Sequence, residues 1–150
     1  MTLTRTYITL IRTLSICVLC LLVGCSGHRP WIPRIERPLT TSEAAQVLAM
    51  ADMIDEGGAK WADHSEQVRK LLALGRIGVG RLPQGKDGWA TWKPRITTII
   101  LRPGFFEMYN IDQSGVLVIE ACRTLCACVG DCSEEYWEWQ RDWFLMNGDQ

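Results

Sequence analysis

The chain has 150 residues, with 16 basic and 17 acidic side chains and a formal net charge of −1 at pH 7. This length is enough for one compact domain with one hydrophobic core. The charge is nearly balanced and no basic stripe is present, which argues against nucleic acid as a partner. Net charge also gives no reason to expect electrostatic capture by anionic lipid.

The N-terminal segment has the parts of an export signal. Arg5 and Arg12 precede the apolar run Thr13 to Cys25, TLSICVLCLLVGC, which is too short to span a bilayer. The sequence therefore predicts export, with residues 1–24 removed as a signal peptide. Because Arg5 and Arg12 are the only charged residues in that segment, 14 of the 16 basic residues remain against 17 acidic ones, a net charge of −3.

The last four residues of this run, Leu22-Val23-Gly24-Cys25, resemble the lipobox of bacterial lipoproteins. In that class the cysteine thiol carries two fatty acyl chains such as palmitate, and the new N-terminal amine is usually acylated as well. The resemblance implies a lipid anchor at Cys25, with the membrane as a partner. Ser26 follows where an aspartate would mark inner-membrane retention in the enterobacterial sorting rule, so we expect the periplasmic face of the outer membrane.

A tether and the first helix follow the lipidation site. Residues 25–39 contain three prolines and several arginines, which prevent regular structure and favour an extended tether. Thr40 and Glu43 have the spacing of a capping box, and the apolar stripe after them predicts a helix from Thr41 to about Glu56. We expect residues 40–150 to form a single globular domain.

The middle of the chain predicts a second helix and a small sheet. An apolar stripe over residues 61–74 predicts the helix, with Asp63 or Ser65 as its cap. Alternation over residues 77–82 and β-branched side chains over residues 96–101 predict two strands. A loop rich in turn-forming residues is expected between these strands.

The C-terminal third predicts two more helices. The first begins near Gln113 with Asp112 or Ser114 as its cap and breaks at Gly130, and the last begins near Ser133. The complete order predicts an α+β fold: two N-terminal helices, a small β-sheet, and two C-terminal helices joined by a cysteine-rich turn.

Residues 96–143, which combine a strand, an apolar helix with an embedded glutamate and a glutamate-rich helix, resemble the core of zincin-type metallopeptidases. In that family the apolar helix carries H-E-x-x-H, whose histidines bind zinc and whose glutamate activates water. Here the motif falls on residues 119–123, IEACR: Glu120 is kept, but Ile119 and Arg123 replace both histidines. The resemblance implies a degenerate member, for which we expect no metal and no other cofactor.

Glu120 has two interpretations. Arg123 lies three residues along the same helix face, so a buried or half-buried ion pair is favoured. The alternative is a divergent hydrolase in which Glu120 still acts as general base with unconventional ligands. The favoured prediction is a non-catalytic binding or accessory role in the cell envelope, with an envelope protein or peptide as partner.

Four cysteines remain once the signal and Cys25 are set aside: Cys122, Cys126, Cys128 and Cys132. An even, clustered set in an exported domain favours disulfides. The pairing stays open between Cys122–Cys128 with Cys126–Cys132, and Cys122–Cys132 with one local bridge. A four-thiolate zinc site is the alternative, but the spacing C-x3-C-x-C-x3-C lacks the paired C-x2-C knuckles of such sites.

Aromatic residues provide a candidate binding surface. Trp89 and Trp92 fall in the predicted loop, within GWATW. In the last helix an i, i+3, i+7 stripe that begins at Tyr136 predicts a core face, whereas Trp137 and Phe144 point elsewhere. Those two side chains either cover a second part of the core or are exposed to dock a ligand. An anchored structural protein without a small ligand is the remaining alternative.

Overall fold

The structure is a computed structural model that describes residues 31–93, 96–126 and 132–148. The chain divides after Ile32, and the second unit, Pro33–Gln150, contains every helix and strand of the described residues. The predicted signal peptide and Cys25 lie outside these residues. None of the described helices is both long and apolar enough to pass through a membrane.

The fold of the described residues is α+β, with the predicted order of helices and sheet. The strands are β1 (Arg37–Pro38), β2 (Ile77–Val79), β3 (Gly88–Lys93) and β4 (Ile96–Leu101). The helices are α1 (Thr41–Glu56), α2 (Ala62–Ala73), α3 (Asn110–Cys126) and α4 (Ser133–Asn147). Short 3-10 turns at Ala59–Trp61 and Phe105–Glu107 precede α2 and α3.

Helix α1 begins and ends where the sequence predicts, because its start is set by local contacts. The Glu43 N–H donates to Thr40 Oγ1 at 3.2 Å, and the Thr40 N–H donates to Glu43 Oε2 at 2.8 Å, which completes the capping box. Arg37 binds both oxygens of Glu43 at 2.7 Å. This hydrogen bonding lowers the pKa of Glu43 to about 2. The same contacts connect β1 to the first turn of α1.

The sheet has the order β1-β2-β4-β3 and is mixed. Strands β2 and β4 run parallel, with Gly78 opposite Ile100, whereas β1 with β2 and β3 with β4 are antiparallel. Part of the predicted tether joins this sheet: Pro33 is buried, and the Glu36 N–H donates to Val79 O at 2.9 Å. Residues 33–39 therefore pack on the domain.

The predicted loop around GWATW is wrong, because these residues form β3. Six residues of β3 pair in register with β4, and the hydroxyl groups of Thr91 and Thr98 are 2.5 Å apart across the pair. Cross-strand contacts with a β-branched neighbour favour extended backbone for tryptophan and threonine. The loop between β2 and β3 is correspondingly limited to residues 80–87.

The predicted caps of α2 and α3 are also wrong, and α3 begins earlier than predicted. Trp61 is the N-cap of α2 without a side-chain cap, while Ser65 is buried and its hydroxyl binds Ala62 O. Helix α3 begins at Asn110, about one turn before Ser114, which is fully buried rather than capping. In both cases a residue type that favours caps is used instead inside the helix, because it packs or bonds within the core.

The core is built from apolar side chains of all four helices, Phe105 and strands β2 and β4. Trp139 of α4 is fully buried, and its Nε1 donates to Ile54 O at 3.3 Å. A Cβ at Gly57 would lie 2.9 Å from that nitrogen, so the end of α1 requires glycine for this contact. Trp143 Nε1 donates to Glu56 at 3.1 Å. The predicted core stripe of the last helix is confirmed by these contacts.

Candidate functional site

Glu120 lies on α3 beneath β3, and its predicted pair with Arg123 is confirmed. The residue is 2 % exposed, and Arg123 Nη1 donates to Glu120 Oε1 at 2.7 Å. A Cβ at Gly88 would lie 2.8 Å from Val116 Cγ1 and 2.9 Å from Glu120 Cγ. Glycine at the start of β3 therefore allows the close approach of strand and helix that buries the carboxyl group.

The electrostatics of Glu120 are those of a buried carboxyl group paired with the guanidinium group of Arg123. Burial raises its pKa above the ordinary value, while Arg123, the backbone of Ala90 and the charge of Lys86 act in the opposite direction. Glu120 Oε2 is buried and has no hydrogen-bond partner among the described residues. Such a carboxyl group could exchange a proton, but one of its oxygens is already held by a permanent cation.

Tyr136 joins α3 to α4 beside this region. Its hydroxyl donates to Asp112 Oδ1 at 2.8 Å and accepts from Gln140 Nε2 at 2.9 Å. Burial, together with the hydrogen bond to Asp112, raises the pKa of Tyr136 to about 12. A Cβ at Gly115 would lie 2.3 Å from Tyr136 Cε2, so the ring packs directly on the α3 backbone. The predicted cap Asp112 is therefore an inter-helix hydrogen-bond acceptor.

Three of the four predicted disulfide cysteines meet where α3 ends and α4 begins. Cys122 and Cys132 are buried and Cys126 is exposed. Cys122 Sγ lies 3.9 Å from Cys126 Sγ, and the Cys132 thiol is within hydrogen-bonding reach of it as well. Burial raises the pKa of Cys122, which favours the neutral thiol over the reactive thiolate. Cys128 lies outside the described residues, so the pairing stays a prediction.

The predicted aromatic surface is divided between two elements. Trp89 is half-buried on β3, opposite Ile100, and Trp92 is on the same strand, with its side chain outside the described part. Trp137 lies on α4 and is 68 % exposed, with its ring packed edge-on against Tyr136 at 4.8 Å between centroids. The ring of Trp137 is therefore available to a ligand over most of its surface, whereas that of Trp89 is partly covered.

A basic cavity that the sequence interpretation missed lies at the end of the sheet. It has a volume of about 350 Å³ and is lined by the loop after β2 and by the residues that follow β4. Three cationic side chains, Arg81, Lys86 and Arg102, and one carboxylate, Asp87, belong to this lining. Parallel pairing of β2 with β4 places both strand ends at the same edge, which brings these distant residues together.

No protein-family model matches the chain, and no curated protein or solved structure is significantly similar to it. Within residues 31–93, 96–126 and 132–148, no group of three or more histidine, cysteine, aspartate or glutamate side chains is placed to hold a metal ion. What these residues provide is one buried ion pair, a thiol cluster, an exposed aromatic side chain and a basic cavity.

Proposed function

We propose that this protein is a lipid-anchored component of a bacterial cell envelope that binds a partner without hydrolysing it. One observation carries the proposal: Leu22-Val23-Gly24-Cys25 closes an apolar run that follows two arginines. Two or three acyl chains on Cys25 would hold the domain at the membrane far more durably than a single chain. The outer membrane is the proposed location because Ser26 follows the cysteine.

The contacts of Glu120 support the non-catalytic part of the proposal. In the zincin motif the equivalent glutamate faces a metal-bound water between two histidines. Here the side chain is buried, and Arg123, at the second histidine position, binds one of its oxygens. The order β4, α3, α4 agrees with a degenerate scaffold of that family, on which the pair has a structural role.

Metabolic labelling with an alkyne-bearing palmitate analogue tests the anchor. Full-length protein should incorporate the label, and Cys25→Ser should lose it and retain the mass of the uncleaved precursor. Cys20→Ser is the matched control, because it removes a thiol from the same apolar run and leaves the four-residue motif intact. Label that persists in Cys25→Ser, or that is missing from the parent protein, would contradict the proposal.

The binding role rests on Trp137 and Phe144, which lie seven residues apart on the same face of α4. Both are more than half exposed, and each ring is held by its neighbour in the chain, Tyr136 or Trp143. Exposed aromatic side chains of this kind are common at the centre of protein interfaces. An envelope protein or peptide is the proposed partner.

Site-specific photocrosslinking in living cells tests this surface. A photoreactive amino acid at position 137 should give discrete crosslinked species. The same amino acid at Leu74, an exposed apolar residue at the end of α2, should not. The same pattern at both positions would show that α4 has no specific partner and would refute the binding role of Trp137.

The second candidate, a divergent hydrolase, is favoured by one observation. Glu120 Oε2 is buried without a hydrogen-bond partner among the described residues, and burial raises the pKa of the group. Peptide hydrolysis by the purified protein, with and without added zinc, distinguishes the two functions. The enzyme predicts activity that Glu120→Gln abolishes and that Glu107→Gln, at an exposed glutamate, retains. Our proposal predicts no hydrolysis by any of the three proteins.

A further inference from the structure

The basic cavity has a charge that differs from that of the rest of the chain. Arg81, Lys86 and Arg102 outnumber Asp87, so the lining carries a formal charge of +2, whereas the predicted mature chain carries −3. Because interactions between exposed charges weaken beyond about 10 Å at 0.1 M salt, an anion at the cavity experiences mainly this local set. The cavity can therefore attract an anion although the net charge of the chain is negative.

The cationic side chains of the cavity form few ion pairs and hydrogen bonds with the rest of the protein. Arg102 Nε lies 2.6 Å from Asp87 Oδ1, but the side chain remains 44 % exposed. Its two Nη atoms donate no hydrogen bond to any described residue. Lys86 forms no ion pair within the described part of the chain, and Arg81 is paired loosely with Glu36 at 3.6 Å and is largely exposed. The two guanidinium groups and the ammonium group are therefore available to an anionic ligand.

We propose that this cavity binds a phosphate group. Two guanidinium groups and one ammonium match an oxyanion that accepts several charge-assisted hydrogen bonds and carries one or two negative charges. Asp87 forms an ion pair with Arg102 on the Nε side of the guanidinium group, and the two Nη atoms stay without a partner among the described residues. The turn before Lys86 contains Gly85, whose φ of +78° favours glycine and whose Cβ position is open, with no atom within 4 Å.

The position of the cavity indicates where the phosphate comes from. The backbone of Arg34 packs on Gly80, where a Cβ would lie 2.2 Å from Arg34 O, and Glu36 pairs with Arg81. The cavity therefore lies beside the segment through which the chain enters the domain. If Cys25 carries the anchor, the eight residues to Pro33 span at most about 29 Å. We therefore infer a phospholipid headgroup as the source, a step that rests on the proposed function.

Amine footprinting of the protein purified from cells that express the full-length chain tests the proposal. The protein is held in nonionic detergent micelles with chloride as the only anion, and an amine-reactive ester labels its lysines before mass spectrometry. Two arms follow: added inorganic phosphate, and transfer to nanodiscs of phosphatidylglycerol. Lys86 should be protected, and at a ligand concentration ten times the dissociation constant its labelling should slow about tenfold. Lys70, exposed on α2, is the internal control and should not change.

Charge-removing variants establish whether the cavity is responsible. Arg102→Gln should abolish the protection of Lys86, and Arg141→Gln, the same change at an exposed position of α4, should retain it. Arg81→Gln provides a second cavity variant, because this side chain is 81 % exposed and its removal should leave the fold intact. Protection that survives both cavity variants would overturn the proposal.

The two arms distinguish the sources and separate this inference from the proposed function. Stronger protection in nanodiscs than with inorganic phosphate supports a headgroup, and equal protection supports free phosphate as the ligand of the same cavity. No protection in either arm overturns the phosphate site, whatever the state of Cys25. Protection by phosphate in a protein whose N-terminal peptide carries no acyl chain would support the cavity and refute the anchor.

Discussion

Replacing Arg123 with methionine should leave a buried carboxylate without its cation. Arg123 Nη1 lies 2.7 Å from Glu120 Oε1, and the Glu120 side chain is only 3 % exposed, so water cannot replace the lost contact. Removing one partner of a buried pair costs about 3–5 kcal/mol. Because the Arg123 side chain is 23 % exposed, solvent already screens part of the interaction, and we expect a loss at the low end, about 3 kcal/mol at pH 7.

The matched change is Glu120→Gln, which preserves the shape of the side chain and removes its charge. Urea unfolding at pH 7 measures the free energy of unfolding of each variant. The double variant, Glu120→Gln with Arg123→Met, should be more stable than Arg123→Met alone, because no unpaired charge remains. If Arg123→Met lies within about 0.5 kcal/mol of the parent protein, or if the two changes are additive, the ion-pair argument is refuted.

The pH dependence of these variants follows from the raised pKa of Glu120. Between pH 4.5 and the folded-state pKa, the folded protein binds more protons at this site than the unfolded chain does, so the free energy of unfolding falls as the pH rises. The stabilising contribution is therefore complete below about pH 4.5 and is lost as the pH rises through the folded-state pKa. Glu120→Gln lacks this slope and should gain stability relative to the parent between pH 4.5 and 7.

Three further predictions concern a close helix contact, a helix cap and a disulfide of the domain. Gly115→Ala should lower the free energy of unfolding, measured by thermal unfolding, by about 1–2 kcal/mol. A Cβ 2.3 Å from the Tyr136 ring causes a steric clash whose cost exceeds the gain in helix propensity from alanine. An unchanged midpoint would contradict the close packing. Thr40→Ala should cost about 1 kcal/mol in urea unfolding through loss of the cap, and no change would mean that the capping box is not formed. Non-reducing peptide mapping of exported protein should find a peptide pair that contains Cys122 linked to Cys132. Reduction of this bridge should lower the free energy of unfolding by about 3 kcal/mol. If both thiols are free, the bridge is excluded.

Features set by neighbours in the chain could be predicted from the sequence. The capping box at Thr40 and the apolar stripe after it determine α1 locally, and Glu120 and Arg123 meet because they lie three residues apart on one helix. The strand β3 was missed because Gly88 and the turn residues before it conceal a run that is extended only when paired with β4.

The basic cavity could not be predicted from the sequence for a different reason. Arg81 follows β2 and Arg102 follows β4, and nothing in the residues between them indicates that the two strands run parallel. Pairing of β3 with β4 sets Arg102 beside Asp87, but only the parallel β2–β4 pairing brings Arg81 to the same end of the sheet. A site assembled from the ends of non-consecutive strands has no local pattern, so its chemistry becomes visible only with the fold.

The burial of Trp139 has a consequence for the order in which the domain can be completed. Its ring packs against Gly57 and its nitrogen binds Ile54, more than 80 residues earlier in the chain. The end of α1 therefore lacks one side of its hydrophobic packing until α4 is present. If the chain is exported from its N-terminus, as proposed, the residues before α4 would emerge first, and the core could be completed only after α4 has crossed the membrane.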